Sequence, residues 1–587
     1  VVLLVAAILA VGVNFGRLAT TAEYTKYSIR GKSELTVPNS GDKTSSGLDR
    51  EYAFNWSYGI GETITLLIPD FYGGSSSTPL DKDSETYNAF VAMGAPPVQA
   101  EQIVSQGMPT YWGPQPMTSG PVYVGAIVCF LFVLGLFIVD RRWTSWLVAG
   151  TVLSLLLAWG HHFAAFNYFM FDYFPGYNKF RAVSSALVIA QITIPLLAML
   201  ALWRLFRDRE TIAGLDKKLL ISGGITAGIC LLVWLFGGMA SFTSAVDAQL
   251  QQAQYPLNAI RADRESMMKA DAFRSLVFIV LALAILYFYV KNKLSATIAI
   301  AGVGVLVLAD LWTVDKRYLH NGDFKEQVIT NYFQPTPADR IILEDKDPAK
   351  GLSYRVFDAT NPFNSARASY FHKSVGGYHG AKLRRYQDVI DRHISQMNLE
   401  VLRMLNTRYA ITADPKQPVQ RVPGALGNAW FVEEIEKVNT PDAELDALTG
   451  FDAEKTAIVD VTKFPVKEQN YSAANATIKL TTYEPDYLKY EYQAAQPGFV
   501  VFSEIYYPAG WQAYIDGKPV DHIRANYILR AMQVPAGKHT IEFKFEPQTY
   551  YVGNTISLIS SIVLLLVIAG AIVYGFKKKQ REEALAV

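Results

Sequence analysis

The chain has 587 residues, of which 50% are hydrophobic and only 18% are charged. Soluble proteins usually carry about 25% charged residues. The deficit here falls in long uncharged stretches, so the composition favours a membrane protein with extramembrane domains over a soluble protein. The formal net charge of +1 gives no support for a nucleic-acid partner.

Eight apolar stretches predict a polytopic membrane protein, because each is close to the roughly 20 residues that cross a bilayer as a helix. They are residues 1–18, 121–139, 143–160, 182–205, 219–240, 272–290, 294–313 and 553–576. Arg and Lys concentrate in the connections on one side of these stretches, and the positive-inside rule makes that side cytoplasmic. The basic connections are Asp140 to Arg142, Arg204 to Lys218, Lys291 to Lys293 and the tail from Lys577 to Lys579.

This topology places the long connections on the outer face and divides the chain into a transmembrane region, an extracytoplasmic domain and a last helix with a basic cytoplasmic tail. The three parts are residues 1–313 with an outer loop at 20–120, residues 314–552, and residues 553–587. Helical and strand patterns mix over residues 314–440, whereas strand patterns dominate over residues 441–552. The predicted fold class is therefore a polytopic α-helical membrane protein with a mixed α/β and β-sandwich extracytoplasmic domain.

The β-sandwich prediction depends on two alternating stretches and two turns. Apolar and charged residues alternate at 488–492 (LKYEY) and at 541–545 (IEFKF). Asp516 and Gly517 stand between apolar residues, a strong hairpin signal. The stretch from Pro535 to His539 (PAGKH) predicts a second tight turn.

Two groups of side chains in this domain have structural interpretations. The charged residues of the stretch 384–388 (RRYQD) lie on a predicted helix and are expected on its solvated face. Tyr506, Tyr507 and Trp511 offer aromatic faces for sugar stacking, but aromatic residues in strands usually belong to the core, which is the preferred prediction.

Several segments, taken together, resemble the bacterial YfhO-like membrane proteins. The similarity runs over most of the chain, and it is the combination of segments that is specific. The segments are Thr65 to Gly74 (TLLIPDFYGG), Tyr111 to Gly125, Phe174 to Arg181 (FPGYNKFR), Ser374 to Gln387, Met404 to Ile411, Leu426 to Val432 and Phe502 to Pro547.

Such proteins are regarded as relatives of the GT-C glycosyltransferases, which move a sugar from a polyprenyl-phosphate carrier to an acceptor on the outer face. The resemblance implies a GT-C-like membrane fold and this type of activity. GT-C enzymes usually carry their catalytic carboxylate in the first outer loop. Because Val1 lies inside an apolar run with no initiator Met, we expect spans upstream of residue 1, and with them that carboxylate.

Inverting transfer from a lipid phosphate requires a carboxylate that accepts the acceptor proton. Glu62 and Asp70 border the apolar run TITLLIP, which is too short to cross a bilayer and reads as an interfacial or re-entrant piece. Both are candidate catalytic acids at the outer membrane boundary. The alternative is local structure, because Glu62 suits the first turn of a short helix and Asp70 suits a turn.

Phosphate binding and substrate packing require cations and aromatic side chains. Arg181 and Lys179 lie just outside the span that begins near residue 182, against the positive-inside bias, and are the candidate donor-phosphate ligands. Their alternative role is snorkelling toward lipid headgroups. Tyr72, Trp112 and Asp172 are the candidate substrate-binding residues.

No cofactor is predicted, and a divalent metal is left open. His161 and His162 are adjacent, so on a helix their side chains diverge instead of sharing a face as an i, i+4 pair does. The chain has no P-loop, no dinucleotide-binding GxGxxG before a helix and no GxSxG elbow, which disfavours a nucleotide-driven pump, a Rossmann dehydrogenase and an α/β-hydrolase.

The leading functional hypothesis is a glycosyltransferase in the bacterial cytoplasmic membrane that uses a lipid-linked sugar donor and a cell-envelope glycan or glycolipid acceptor. The first alternative is a non-catalytic membrane scaffold that binds an envelope glycan or a partner. The second is a transporter of lipid-linked substrates, which the nearly uncharged spans disfavour.

Overall fold

The computed structural model describes residues 2–36, 47–324, 333–347 and 351–585. Every apolar stretch that predicts a span contains helix. The α-helices are α1 (Val2–Val13), α2 (Phe15–Thr25), α3 (Arg50–Phe54), α4 (Glu85–Ala92), α5 (Pro97–Ser105), α6 (Ala126–Ile138), α7 (Arg141–Ala158), α8 (Ala164–Tyr173), α9 (Leu187–Arg207), α10 (Leu215–Phe236), α11 (Asp247–Gln252), α12 (Leu257–Val290), α13 (Ala296–Tyr318), α14 (Pro337–Glu344), α15 (Arg367–Phe371), α16 (Arg384–Arg392), α17 (Leu399–Met404), α18 (Pro441–Asp446) and α19 (Gln548–Leu585).

Five helices of the described chain are long and apolar enough to cross a bilayer, and two bent helix pairs raise the number to seven. The five are Val183–Arg207, Leu215–Met239, Leu257–Val290, Ala296–Asp323 and Gln548–Lys578. The bent pairs are α1 with α2 (67°) and α7 with the segment Gly160–Tyr173 (110°).

The predicted span at residues 121–139 is shorter than expected. Helix α6 has 13 residues, about 20 Å at the usual rise per residue. Its start is fixed by a buried acid, because Asp310 Oδ2 accepts a hydrogen bond of 2.9 Å from the Ala126 backbone N–H. Gly125 precedes it with φ of 107°, a conformation that favours glycine. Residues 121–125 therefore lie outside the helix.

The chain folds as two compact units, Arg50–Glu326 and Val1–Asp49 with Gln327–Val587. The predicted outer loop 20–120 is thereby divided between them. In the first unit, called the membrane unit here, the long helices α9, α10, α12 and α13 pack with α6 around a core of buried aliphatic side chains. The short 3₁₀ turns of residues 61–72 add Leu67 and Ile68 to that core.

In the second unit, called the domain unit here, the first two helices pack against the last one. The Gly16 backbone N–H donates a hydrogen bond of 2.9 Å to Ser557 Oγ. A Cβ added to Gly553 would lie 2.8 Å from the Gly16 Cα. Small residues at this crossing therefore allow the two helix backbones to approach closely, as in membrane helix pairs.

The domain unit also contains all of the described strands. They are β1 (Arg355–Asp358), β2 (Thr407–Ile411), β3 (Val419–Arg421), β4 (Ala429–Val432), β5 (Glu434–Val438), β6 (Thr456–Asp460), β7 (Thr477–Tyr483), β8 (Tyr487–Ala494), β9 (Gly498–Ile505), β10 (Trp511–Ile515), β11 (Lys518–Val520), β12 (Ile523–Ala525), β13 (Leu529–Val534) and β14 (Gly537–Phe545). The two largest sheets have the orders β11-β10-β14-β8-β7 and β12-β13-β9-β4.

These two sheets form the predicted sandwich. In β14, Ile541 pairs with Tyr490 and Phe543 with Leu488, all buried between the sheets. Strand β9 is buried on both faces, so that Val500 packs toward the five-stranded sheet and Val501 toward a layer of short helices. The predicted fold class, with membrane helices and a mixed α/β and sandwich domain, is confirmed. The turn at residues 516–517 joins β10 to β11, as the sequence predicts.

Candidate functional site

Two acids of the membrane unit lie on consecutive 3₁₀ turns but in different surroundings. Glu62 is on the turn Gly61–Leu66, and Asp70 is on the turn Pro69–Tyr72. Pro69 presets the backbone at the start of the second turn, and Gly73, with φ of 80°, ends it. Both acids are almost fully buried, with 2% and 5% exposure. Since burial of a carboxylate is costly, each must be compensated by its neighbours.

Glu62 is compensated by neutral hydrogen-bond donors. Its Oε1 accepts a bond of 2.5 Å from the Tyr111 hydroxyl, and its Oε2 accepts one of 2.6 Å from the Gly59 backbone N–H. The Gln115 amide lies 3.2 and 3.3 Å from the two oxygens. Burial raises the pKa of Glu62, although these hydrogen bonds oppose the shift. A carboxylate with a raised pKa is a stronger base than usual and suits proton abstraction.

Glu62 also lines a cavity of about 270 Å³ in the membrane unit. Aromatic, hydroxyl and small side chains form most of its wall, and Glu62 is the one ionic group among the described residues that line it. The lining residues are Trp56, Tyr58, Glu62, Thr65, Pro69, Tyr72, Gly74, Tyr111, Gln115, Met117, Thr118, Gly120, Pro121, Val122, Ser184 and Ser185.

Asp70 is held in an ionic network instead. Arg317 donates one hydrogen bond of 2.9 Å to Asp70 and two of 2.7 Å to Asp271. The Tyr318 hydroxyl donates to Asp70 Oδ1 at 2.6 Å, and Asp271 accepts the Asp70 backbone N–H at 2.9 Å. Burial, followed by the neighbouring charge of Asp271, raises the pKa of Asp70. Both carboxylate oxygens of Asp70 thus accept hydrogen bonds from residues at the end of α13, and its backbone N–H donates to Asp271 on α12.

The Asp70 network supports the wall of the Glu62 cavity. A Cβ added to Gly74 would lie 2.8 Å from the Tyr318 hydroxyl and 3.0 Å from Asp70 Oδ1. A Cβ added to Gly120 would lie 2.9 Å from the Tyr318 ring. Both glycines line the cavity, so Tyr318 and Asp70 lie directly behind its wall.

The two predicted aromatic substrate ligands are in contact with each other. The rings of Tyr72 and Trp112 have centroids 4.3 Å apart, and Trp112 packs on Phe242 at 5.1 Å. Tyr72 lines the cavity, whereas Trp112 is not among its described lining residues. Of this pair, only Tyr72 is positioned to contact a molecule in the cavity.

The predicted phosphate ligand Arg181 lies beside the cavity and not in its lining. Its guanidinium stacks over Trp56, with 5.6 Å to the ring centroid, and over Tyr52, whose hydroxyl accepts a hydrogen bond of 2.5 Å. Trp56 and Ser184 line the cavity, and Ser184 follows Arg181 by three residues. Lys179 ends a short 3₁₀ turn two residues before Arg181.

The third predicted substrate ligand, Asp172, forms a separate ion pair. Its carboxylate accepts hydrogen bonds of 2.8 and 3.1 Å from Arg50, and both side chains are 40% exposed. Arg50 stacks on Tyr168 at 4.6 Å. None of these three residues lines the Glu62 cavity.

Several residues of the site escaped prediction from sequence. Tyr111 and Gln115 stand in the segment YWGPQPM, in which only Trp112 was singled out. Asp271, Arg317 and Tyr318 fall just beyond the predicted spans 272–290 and 294–313, because α12 begins 15 residues earlier and α13 continues to Tyr318. A charged residue at the end of a span has a high energetic cost unless it is paired. The position of Asp271 and Arg317 at the predicted span ends was therefore a signal in the sequence that they form ion pairs.

The same rule holds for the buried acid that caps α6. Asp310 accepts a hydrogen bond of 2.6 Å from the Tyr123 hydroxyl and forms an ion pair of 3.0 Å with Arg274.

In the part of the chain that the structure describes, no group of three or more His, Cys, Asp or Glu residues is arranged to hold a metal ion. The rings of His161 and His162 lie 4.0 Å apart, and His161 Nδ1 is bonded to the Phe54 carbonyl at 3.1 Å.

Comparison with known proteins finds a family match over the C-terminal part of the chain. The family model described as bacterial membrane protein YfhO matches residues 450–557, which run from just before β6 through β14 into the first turns of α19. No curated protein matches the chain. The resemblance drawn from sequence is thereby confirmed for residues 450–557, which form a domain of the bacterial membrane protein YfhO type.

Proposed function

We propose that this protein is a GT-C-type glycosyltransferase that moves a sugar from a polyprenyl-phosphate carrier to a cell-envelope acceptor. The observation that carries the proposal is the Glu62 carboxylate, which is buried, lines a cavity and has a raised pKa. The cavity offers hydroxyl and aromatic groups of the kind that bind sugars, from Tyr72, Thr65 and Ser184. These features suit a neutral sugar held beside a general base.

In the proposed step, the acceptor hydroxyl oxygen attacks the anomeric carbon of the sugar. The bond between that carbon and the carrier phosphate oxygen breaks, and its electron pair leaves with the phosphate. The acceptor proton passes to Glu62, which later releases it to water. Tyr111 and Gln115 hold the carboxylate in place through their hydrogen bonds, so that it is oriented before the acceptor arrives.

The leaving phosphate requires positive charge, and Arg181 is the proposed source. Its guanidinium lies over Trp56, one ring away from the cavity. A planar guanidinium can bind phosphate through two parallel hydrogen bonds. Lys179 is proposed as a weaker second contact. Asp70 is assigned a supporting role behind the cavity wall, because its oxygens are already engaged by Arg317 and Tyr318.

The reaction is proposed to occur on the outer face of the bacterial cytoplasmic membrane. The support is the positive-inside distribution of Arg and Lys, which assigns residues 314–552 to that face. A cysteine introduced at the exposed position Lys518 tests this orientation. We expect a membrane-impermeant maleimide to label Lys518→Cys in intact spheroplasts. Labelling only after lysis would contradict the proposed orientation. Background is low because Cys230 is buried and Cys129 is partly buried.

The transferase proposal is tested with the full chain in proteoliposomes that contain radiolabelled polyprenyl-phosphoryl hexoses and envelope glycan. Transfer of label to the glycan is the readout. The matched variants are Glu62→Gln, which removes the base, and Glu101→Gln, which alters an exposed acid of the same unit paired with Lys82. Transfer that Glu62→Gln abolishes and Glu101→Gln preserves supports the proposal. Equal transfer by both variants would exclude Glu62 as the base.

One observation favours the alternative of a non-catalytic envelope scaffold. Among the described residues, the cavity lining contains no Lys or Arg, so a leaving phosphate would meet its nearest proposed cation only beyond Trp56. A scaffold predicts that glycan binds to the protein without any transfer of label. It also predicts that cells carrying Glu62→Gln keep the envelope phenotype of the wild type. Complementation of a deletion strain by this variant therefore separates the two functions.

A further inference from the structure

A second cavity lies in the domain unit and has a different character. It is a cleft of about 230 Å³ formed by five stretches of that unit, at residues 26–34, 383–386, 464, 505–508 and 524–528. This volume is below the roughly 300 Å³ of pockets for drug-sized ligands, so it suits a single small chemical unit. The cleft is lined by Lys26, Tyr27, Lys32, Glu34, Leu383, Arg384, Arg385, Tyr386, Phe464, Ile505, Tyr506, Tyr507, Pro508, Arg524, Tyr527 and Ile528.

The base of the cleft is a buried network that corrects one prediction. Arg385 was expected on a solvated helix face, but its guanidinium donates hydrogen bonds to Glu34 at 2.9 Å and to Glu444 at 3.1 Å. On the same helix, Asp388 is buried and accepts a bond of 2.8 Å from the Tyr527 hydroxyl. The expectation of a solvated face is wrong because the partners of this helix lie far away in sequence.

The cations of the cleft exceed its anions. Five described lining residues are cationic, whereas Glu34 is the one acid among them. Arg524 reaches Glu444 at 3.4 Å, and its Nε is buried with no acceptor among the described residues. Lys26 and Lys32 are exposed, and within the described chain neither ammonium group has an ion-pair or hydrogen-bond partner. The lining therefore carries a net positive charge, which favours binding of an anion.

Aromatic rings stand next to these cations. Tyr506 and Tyr507 were expected in the core, but both are partly exposed and line the cleft, which corrects that prediction. Tyr507 packs edge-on against Tyr27, with centroids 5.2 Å apart. Partly exposed tyrosine faces bind the apolar face of a sugar ring while their hydroxyls stay solvated. Cations and tyrosines together indicate a ligand with an anionic group and a ring.

The cleft is adjacent to the apolar helices of its own unit. Helix α2 ends at Thr25, directly before Lys26, and Tyr24 on this helix lies 6.2 Å from the Tyr507 ring. Glu23 accepts a hydrogen bond of 2.5 Å from Thr549 at the start of α19. A ligand in the cleft would therefore lie at the level where these helices leave the domain, within reach of molecules at the bilayer surface.

We propose that this cleft binds a phosphorylated sugar unit, with the phosphate at Lys26 and Lys32 and the sugar ring against Tyr27 and Tyr507. A phosphorylated sugar has two sources at a cell envelope, namely a lipid-linked sugar phosphate and a phosphate-containing envelope polymer. The cleft and the Glu62 cavity share no lining residue. Binding there does not require sugar transfer, so Glu62→Gln retains it.

The test is equilibrium binding of radiolabelled glucose 1-phosphate to the full chain in phosphatidylcholine nanodiscs, with glucose and inorganic phosphate as competitors. The variants are Lys26→Ala/Lys32→Ala and Tyr507→Leu, and the matched control is Lys416→Ala/Lys538→Ala, which removes two exposed lysines elsewhere in the domain unit. We expect the first double variant to bind at least about tenfold more weakly, since charge-assisted hydrogen bonds are lost. Tyr507→Leu is expected to lose the preference for glucose 1-phosphate over inorganic phosphate.

Two further competitors distinguish the sources. Polyprenyl-phosphoryl glucose in the nanodisc represents the lipid-linked source, and a soluble glucosylated glycerol-phosphate oligomer represents the polymer. Displacement by either one supports the proposal and names the source. The proposal is overturned if no saturable binding is seen, if glucose competes as well as glucose 1-phosphate, or if the two double variants bind alike. It is also overturned if neither large competitor displaces the probe.

Discussion

The cavity around Glu62 and the cleft around Arg385 differ first in charge. The described lining of the Glu62 cavity has one carboxylate and no cation, whereas that of the cleft has five cations and one carboxylate. Glu62 is compensated by neutral donors, which leaves its pKa raised. For Glu34 in the cleft, burial raises the pKa, but Arg385 outweighs it and lowers the value to about 2.

The comparison teaches that the groups bonded to an acid decide what it can do. A buried carboxylate among hydroxyls and amides keeps its affinity for a proton, so Glu62 is suited to proton transfer. A carboxylate bound by guanidinium groups is permanently ionised, so Glu34 is suited only to orienting cations.

The largest expected effect is the loss of sugar transfer on substitution of Glu62. Glu62→Gln keeps the shape of the side chain and removes the base, so we expect a decrease in kcat of about 10²- to 10⁴-fold. Because the pKa of Glu62 is raised by burial, wild-type kcat should fall as the pH drops through that pKa. The checks are initial rates in proteoliposomes at several pH values. A pH profile that Glu62→Gln leaves unchanged in shape contradicts the assignment.

The next effect is on the stability of the membrane unit. Arg317→Met leaves Asp70 and Asp271 buried without their cation, with side-chain exposures of 7% and 4%. Removing one partner of a buried ion pair costs about 3–5 kcal/mol, and we expect the lower end because Arg317 is 33% exposed. The measurement is the thermal unfolding midpoint in detergent micelles.

Arg50→Met is the matched control for this variant, because its ion pair with Asp172 is 40% exposed on both sides. Exposed pairs contribute about 0–1 kcal/mol, so the midpoint should change little. Equal losses of stability in the two variants would show that the Asp70 network does not act as a buried ion pair.

Sequence patterns predicted elements whose determinants are local. The alternation at 488–492 and 541–545 predicted β8 and β14, and the Asp516-Gly517 pair predicted the β10–β11 hairpin. These succeed because strand period and turn chemistry depend on neighbouring residues. The late start of α6 within the predicted span 121–139 was missed because it depends on Asp310, 184 residues away.

For the candidate site, too, the sequence indicated residues that are close together in the chain and missed those that are far apart. Glu62 and Tyr72 were chosen from one continuous segment, and both line one cavity. Tyr111, which bonds to Glu62, is 49 residues away, and no local pattern indicates such a contact. Arg385 was assigned to solvent because its own helix is polar, but it pairs with Glu34, 351 residues earlier in the chain. Contacts of this length come from tertiary packing, which periodicity does not encode.

A smaller effect concerns the pH dependence of stability beneath the cleft. Burial raises the pKa of Asp388 from 3.8 to about 6. A raised folded-state pKa means that the group stabilises the fold fully below pH 4 and that this contribution is lost as the pH rises through 6. The two-unit shift corresponds to roughly 3 kcal/mol. Asp388→Asn still accepts a bond from Tyr527 and cannot titrate.

Unfolding midpoints of the wild type and Asp388→Asn between pH 4 and pH 7 check this prediction. The variant should gain stability relative to the wild type as the pH rises across this interval. Glu34, whose pKa is lowered from 4.5 to about 2, affects the wild type and the variant equally and therefore cancels in the difference between them. The neighbouring Arg384 and Arg385 remain charged throughout. Parallel pH curves for the two proteins would show that Asp388 has an ordinary pKa.

The smallest effect distinguishes the two cations beside the Glu62 cavity. Arg181 stacks on Trp56, which lines the cavity, so Arg181→Ala should raise KM for the lipid-linked donor about tenfold if the guanidinium binds phosphate through two bonds. Lys179→Ala should change it by a smaller factor, since an ammonium group acts as a point charge. Arg181→Lys keeps the charge and loses the planar guanidinium group, so its KM for the donor is expected to lie between those of the two alanine variants.

If Arg181 only anchors the chain to lipid headgroups, Arg181→Lys will have the same KM for the donor as the wild type. The KM will then not depend on the geometry of the cation. The Glu62 cavity would then hold a base without a phosphate partner, and the contrast with the cation-rich cleft would favour binding over transfer.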